Sequence, residues 1–152
     1  MEVTQPINHR NINARCGCFN LRKASRAVTQ YFDHCLEPAG IRATQFTLLV
    51  SMAAVSARTL TEMASTLVMD RTTLTRNLKP LEKLGLIETI APRDKRSKAY
   101  ALTEKGREVL IKGVPLWELA QNKLVHGLGQ ERFDHLLKEL EAVIRLISNH
   151  DV

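Results

Sequence analysis

A mainly α-helical chain carrying one small β-hairpin is predicted by three features of the sequence. Apolar residues recur at three- and four-residue steps through most of its length. Two short extended runs, 87–91 and 98–102, flank the polar tip Pro92-Arg93-Asp94-Lys95-Arg96-Ser97, the pattern of a hairpin. Pro38 with Gly40, then Gly85, then Gly127-Leu128-Gly129 separate the helical stretches. A chain of 152 residues, 44% hydrophobic and 25% charged, suits one domain around one core.

The elements follow in order. Residues 1–15 are polar, with Asn8, His9, Asn11 and Asn13, and are expected to form a flexible tail. From Cys16 to about Leu36, the positions Leu21, Ala24, Val28 and Phe32 make an amphipathic helix. Thr44 to Ala57 is a second, more buried helix with Phe46, Leu48, Leu49 and Met52. Thr59-Leu60-Thr61-Glu62 fits a capping box, in which hydroxyl and carboxylate each satisfy the other's backbone N–H, and opens a third helix through about Leu67. Asp70 is a suitable N-cap for a fourth helix over 71–84, which Gly85 stops. Tyr100 and Leu102 alternate with small residues in the second extended run. Thr103 caps a long helix to about His126, bent at Pro115, and a last helix occupies 130–148.

Charge narrows the function classes. The net charge of +6 is concentrated, because residues 71–98 hold eight cations against Glu82, Glu88 and Asp94. Even spreading would speak only of solubility; this focusing suggests a phosphate-binding surface. Nothing approaches the roughly 18 apolar residues a bilayer span needs, so no membrane partner is expected and a cytoplasmic location is. Three cysteines without a secretory leader point to reduced thiols.

Two short helices joined by a tight turn and followed by a basic hairpin define a winged helix-turn-helix. On the fourth helix, Leu74, Leu78 and Leu81 form an apolar stripe. The other side carries Thr72, Thr75, Arg76, Lys79 and Lys83, with Asn77 at its margin and Arg71 and Thr73 in the first turn. Such a helix fits the major groove of duplex DNA, where arginine pairs with guanine edges and hydroxyls or amides reach bases and phosphates. Pro80 removes one helical hydrogen bond and predicts a slight bend. In the hairpin, Arg93, Lys95, Arg96 and Lys98 gain by counterion release beside a groove; Arg96 suits the minor groove, and Asp94 holds Arg96.

Leu60-Thr61-Glu62-Met63-Ala64, Thr73-Leu74-Thr75-Arg76, Leu81-Glu82-Lys83-Leu84-Gly85-Leu86-Ile87 and Pro92-Arg93-Asp94-Lys95-Arg96 with the following Leu102-Thr103-Glu104-Lys105-Gly106 resemble the MarR family of bacterial regulators over most of residues 16–148. The resemblance implies a homodimer in which the first and last helices interleave. It also implies a pseudo-palindromic operator in double-stranded DNA, and release by a small effector or by oxidation. Residues 71–77 would face the major groove and Arg96 the minor groove. The chain then divides into dimerisation helices at 16–40 and 104–152 around a DNA-binding region at 41–103. Repression is the leading expectation and activation the alternative. The apolar faces of 16–36 and 130–148, which one chain cannot cover, independently suggest a second copy.

The segment Cys18-Phe19-Asn20-Leu21 with Ala24-Ser25-Arg26 is similar to that holding the reactive thiol in the organic-hydroperoxide-sensing branch, which makes Cys18 a candidate redox sensor. That branch supports its thiol with two tyrosines, whereas the matching positions here hold Phe32 and Ala43. Inert buried cysteine is the alternative. Cys16, Cys18, Cys35 and His34 lack the spacing of a zinc site, so no metal or cofactor is expected. A small aromatic effector would find Phe19, Arg22, Arg26, Phe46 and Trp117 as candidate pocket residues. Three rival functions remain: a thiol peroxidase using Cys18, a winged helix for protein contact, and RNA binding. Against them stand the absence of a catalytic motif, the basic wing, and the lack of stacking aromatics on the basic face.

Overall fold

Side-chain caps, more than helix propensity, mark where the helices of this chain begin. The computed structural model describes residues 9–54, 58–90 and 98–148. Helix α1 (His9–Arg15) leads almost directly into α2 (Gly17–Leu36), with Cys16 between them accepting from the Phe19 N–H at 3.4 Å. A loose tail is the expectation from sequence over 1–15, of which residues 1–8 lie outside the described residues. Residues 9–15 contain neither Gly nor Pro, and Asn20 Nδ2 donates back to the carbonyls of Asn13, Ala14 and Cys16 at 3.3, 3.2 and 2.9 Å, tying the helical turn down.

A 3₁₀ turn (Glu37–Ala39) leads to α3 (Ala43–Ala53), whose first N–H groups are met by the side chains of Asp33 and Gln45. The rest of the expected extension to Ala57 lies, beyond Ala54, outside the described residues. Then come β1 (Arg58–Thr59), α4 (Leu60–Thr66), α5 (Arg71–Lys83), β2 (Ile87–Ile90) and β3 (Ala99–Leu102). The expected hairpin is present as β2 and β3, but the sheet has three strands in the order β1-β3-β2, all antiparallel. β1 pairs Arg58 with Tyr100 and Thr59 with Ala99. With a neighbour on each side, all four residues of β3 are buried.

Leu74, Leu78 and Leu81 of α5 are fully buried against Leu48, Leu49 and Met52 of α3 and Met63 of α4. Helix α6 (Glu104–Leu128) continues through Pro115 without a break, and α7 (Gln130–Ser148) follows Gly129. The second half of α2 packs on α6 through Phe32, Cys35 and Ala120, whereas residues 17–28 are exposed throughout. On α7, Phe133 is buried but Leu136, Leu137, Val143, Ile144, Leu146 and Ile147 are 41–65% exposed within the single chain. No helix among the described residues is long and apolar enough to cross a membrane.

The turn between α4 and α5 holds a strained residue. Val68 has φ of 51° and is 64% exposed, so a β-branched side chain sits in the left-handed region without packing to repay it. Val68→Asn is expected to stabilise the fold by about 1 kcal/mol, or about 2–4 °C in Tm for a chain of this size. Calorimetry checks this, and an unchanged or lower Tm contradicts it.

Candidate nucleic-acid interface

Helices α4 and α5 are each locked at the start by a carboxylate. Glu62 Oε2 accepts from the Thr59 N–H and hydroxyl at 2.8 Å each, while Thr59 Oγ1 accepts from the Glu62 N–H at 3.2 Å. Asp70 accepts from the Thr73 N–H at 2.8 Å and the Thr73 hydroxyl at 2.6 Å. Hydrogen bonds from Thr59 hold the Glu62 carboxyl below its ordinary range, and those from Thr73 do the same for Asp70. A depressed folded-state pKa contributes stability above the unfolded value that is lost as pH falls through the folded one. Acidification below the ordinary carboxylate range is therefore expected to weaken both caps. Denaturant midpoints should fall less between pH 7 and pH 3 (a window of about that width) in Glu62→Gln/Asp70→Asn than in the parent chain, and an equal fall contradicts this.

With α5 so anchored, its buried leucine stripe turns the opposite side outward. Arg71, Thr72, Arg76, Lys79 and Lys83 are exposed, and Thr75 and Asn77 are half-buried at the margins. Two of the threonines proposed from sequence are engaged within the helix. The Thr73 hydroxyl donates to Asp70 and is part of the cap; the Thr75 hydroxyl donates to the Arg71 carbonyl at 2.7 Å, so its oxygen can still accept. Arg71 Nη2 donates to Thr61 Oγ1 on α4 at 3.0 Å, a link between helices that sequence spacing did not suggest. None of the ion pairs among the described residues involves Arg71, Arg76, Lys79, Lys83 or Lys98. Lys98 is exposed at the foot of β3. Arg93, Asp94, Lys95 and Arg96 lie outside the described residues.

The far end of α5 is joined to α6. Gly85, with φ of 67°, closes a Schellman motif in which its N–H donates to Glu82 O and the Leu86 N–H to Leu81 O, each at 2.9 Å. Thr103 then donates twice, from its N–H to Leu86 O at 3.1 Å and from its hydroxyl to Gly85 O at 2.6 Å. Lys105 Nζ reaches Leu84 O at 2.7 Å, placing a cation at the negative end of α5.

A second feature is an apolar cleft of about 340 Å³ between α3 and α6, lined by Phe46, Thr47, Val50, Val114 and Trp117. Phe46 and Trp117 stack with ring centroids 6.2 Å apart and planes 17° from parallel. Of the pocket residues expected from sequence, these two come together. Phe19, Arg22 and Arg26 do not line the cleft; they lie on the exposed first half of α2. Thr47, Val50 and Val114 were missed, although Phe46 with Val50 and Val114 with Trp117 are spaced to share helix faces. Cys18 is exposed on the first turn of α2, Cys16 is half-buried, and Cys35 is buried. Among the described residues, no three His, Cys, Asp or Glu side chains converge as a metal site would require.

A family model described as MarR family matches residues 39–97. The transcriptional regulator MosR of M. tuberculosis, solved in complex with DNA, is 32% identical, superimposes with a TM-score of 0.83, and is matched over 91% of this chain and 100% of its own. The chain belongs to the MarR family. Another solved structure similar to this MarR-family chain is the transcriptional repressor CouR bound to a 23-mer DNA duplex, at 28% identity and a TM-score of 0.78, covering 92% of this chain and 99% of that one. The HTH-type regulator YwoH of Bacillus subtilis is 27% identical over 88 residues, which are 58% of this chain. The match spans 64% of the length of YwoH. The winged helix-turn-helix expected from sequence is the observed architecture, with α4 and α5 as its helices and β2–β3 as the wing's strands.

Proposed function

We propose that this MarR-family protein is a sequence-specific transcriptional regulator, acting as a repressor, that binds a pseudo-palindromic operator as a homodimer. The observation that carries the reading is the outward stripe of α5, where Thr72, Arg76 and Lys79 stand exposed opposite three fully buried leucines. A helix held by caps at both ends offers that stripe to the major groove with little ordering cost. The similar regulators MosR and CouR are both solved with DNA, which supports the same partner here. In this reading the wing adds Arg93, Lys95 and Arg96, with Arg96 in the minor groove and Asp94 orienting it. The uncovered apolar side of α7 supports the second copy, since dyad symmetry in the protein matches dyad symmetry in the operator.

Release is assigned to a small, largely apolar aromatic effector in the Phe46–Trp117 cleft, whose volume suits such a molecule. CouR is also solved bound to p-coumaroyl-CoA, a thioester that includes an aromatic acyl group. Oxidation of the exposed Cys18 thiol is the second route to release. Binding of duplex DNA by variants tests the interface. Arg76→Ala is expected to weaken the preferred site by about 1–3 kcal/mol per half-site and to relax preference at one base pair. Lys98→Ala is expected to weaken all sequences alike and to flatten the salt dependence. Equal, salt-independent losses in both variants would contradict the assignment.

A further inference from the structure

The first helix of a helix-turn-helix crosses the DNA backbone while the second enters the groove. Arg71 belongs by sequence to the second helix, yet its guanidinium is drawn sideways to the first. Arg71 Nη2 donates to Thr61 Oγ1 at 3.0 Å, and both side chains are otherwise open to solvent. Unlike Arg76 and Lys79, which project from the outward stripe, Arg71 is therefore held over the α4 side of the unit. A guanidinium spends only one of its five N–H groups on this bond, so the remaining donors and the full charge stay available to an anion.

We propose that Thr61 is a positioning residue that holds Arg71 against the sugar–phosphate strand, making Arg71 a phosphate anchor and not a base reader. The proposal deepens the DNA-binding reading and rests on it. A free arginine on the surface samples many rotamers and must be ordered when DNA binds; one already tethered has met much of that cost. Thr61 thus contributes to affinity through Arg71 and makes no demand on base sequence. The phosphate contact itself fixes how the protein is set on the duplex without carrying sequence information.

The test is a four-point cycle on the full chain, with Thr61→Val, Arg71→Ala and the double variant. The probe is a mixed-sequence duplex of about 30 base pairs, long enough for two half-sites a helical turn apart. Thr61→Val is nearly isosteric at an exposed position, and Thr61→Ser keeps the hydroxyl and is expected to restore parental binding. Thr61→Val is expected to bind about three- to tenfold more weakly per half-site, with the salt slope unchanged because the same counterions are displaced. Arg71→Ala is expected to lower the slope of log affinity against log salt by about one per half-site, equally on every sequence. The double variant should match Arg71→Ala alone. An additive cycle, a silent Thr61→Val, or an Arg71→Ala that relaxes preference at one base pair overturns the positioning role while leaving DNA binding intact. Failure of the parent chain to bind the duplex at low salt overturns the DNA-binding reading and this proposal together.

Discussion

Gly106→Ala is expected to lower the free energy of unfolding by about 3 kcal/mol or more. A methyl group at this position would collide with the Leu86 carbonyl oxygen and lie 3.4 Å from Leu102 Cδ2. Leu86 O is already the acceptor for the Thr103 N–H, and Thr103 Oγ1 both caps α6 at Gly106 and donates to Gly85 O. Relief requires α6 to retreat by about 1 Å or more, which loosens those bonds and the Lys105 contact to Leu84 O as well. Helix propensity favours alanine by about 1 kcal/mol and so opposes the loss without cancelling it. Gly127→Ala is the matched control, since nothing among the described residues lies within 4 Å of its added methyl group; it should leave stability level or slightly raised. Denaturant titration of both variants decides the point, and similar midpoints for the two would contradict the close approach.

Ile144→Asp is expected to convert the protein to a monomer and reduce operator affinity by about a hundredfold or more. Ile144 is 47% exposed in its own chain, so the change should leave intrachain packing largely untouched. In a symmetric interface each substitution occurs twice, and burying an uncompensated carboxylate costs several kcal/mol. About 3 kcal/mol already moves a dissociation constant by two decades. Sedimentation measures the assembly and fluorescence anisotropy the DNA affinity. A variant that remains dimeric and binds as before would place the dimer surface elsewhere.

Much of the winged helix-turn-helix was legible because its signals are local. Thr59 with Glu62, and Asp70 with Thr73, are caps whose two partners stand three residues apart, and Gly85 marks a turn by its own backbone freedom. The leucine stripe of α5 obeys the helical period and is buried as that period requires. Contacts between distant segments were not legible. β1 is two residues long and exists through pairing with β3, some forty positions later, so no periodicity announces it. Thr61 and Arg71 meet only because the α4–α5 turn brings their helices together. Phe19 looked like a pocket residue from its chemistry, but the half of α2 that carries it is exposed to solvent. Arg58–Thr59 and the cleft thus depend on tertiary packing, which a one-dimensional pattern does not encode.

Selection of bound sequences from a pool of random duplexes probes DNA recognition and dyad symmetry in one experiment. The expected result is an enriched inverted repeat, its half-sites centred about 10 base pairs apart, matching two α5 helices related by a twofold axis. Recovery of the starting pool without enrichment, or of a single asymmetric site, would contradict it.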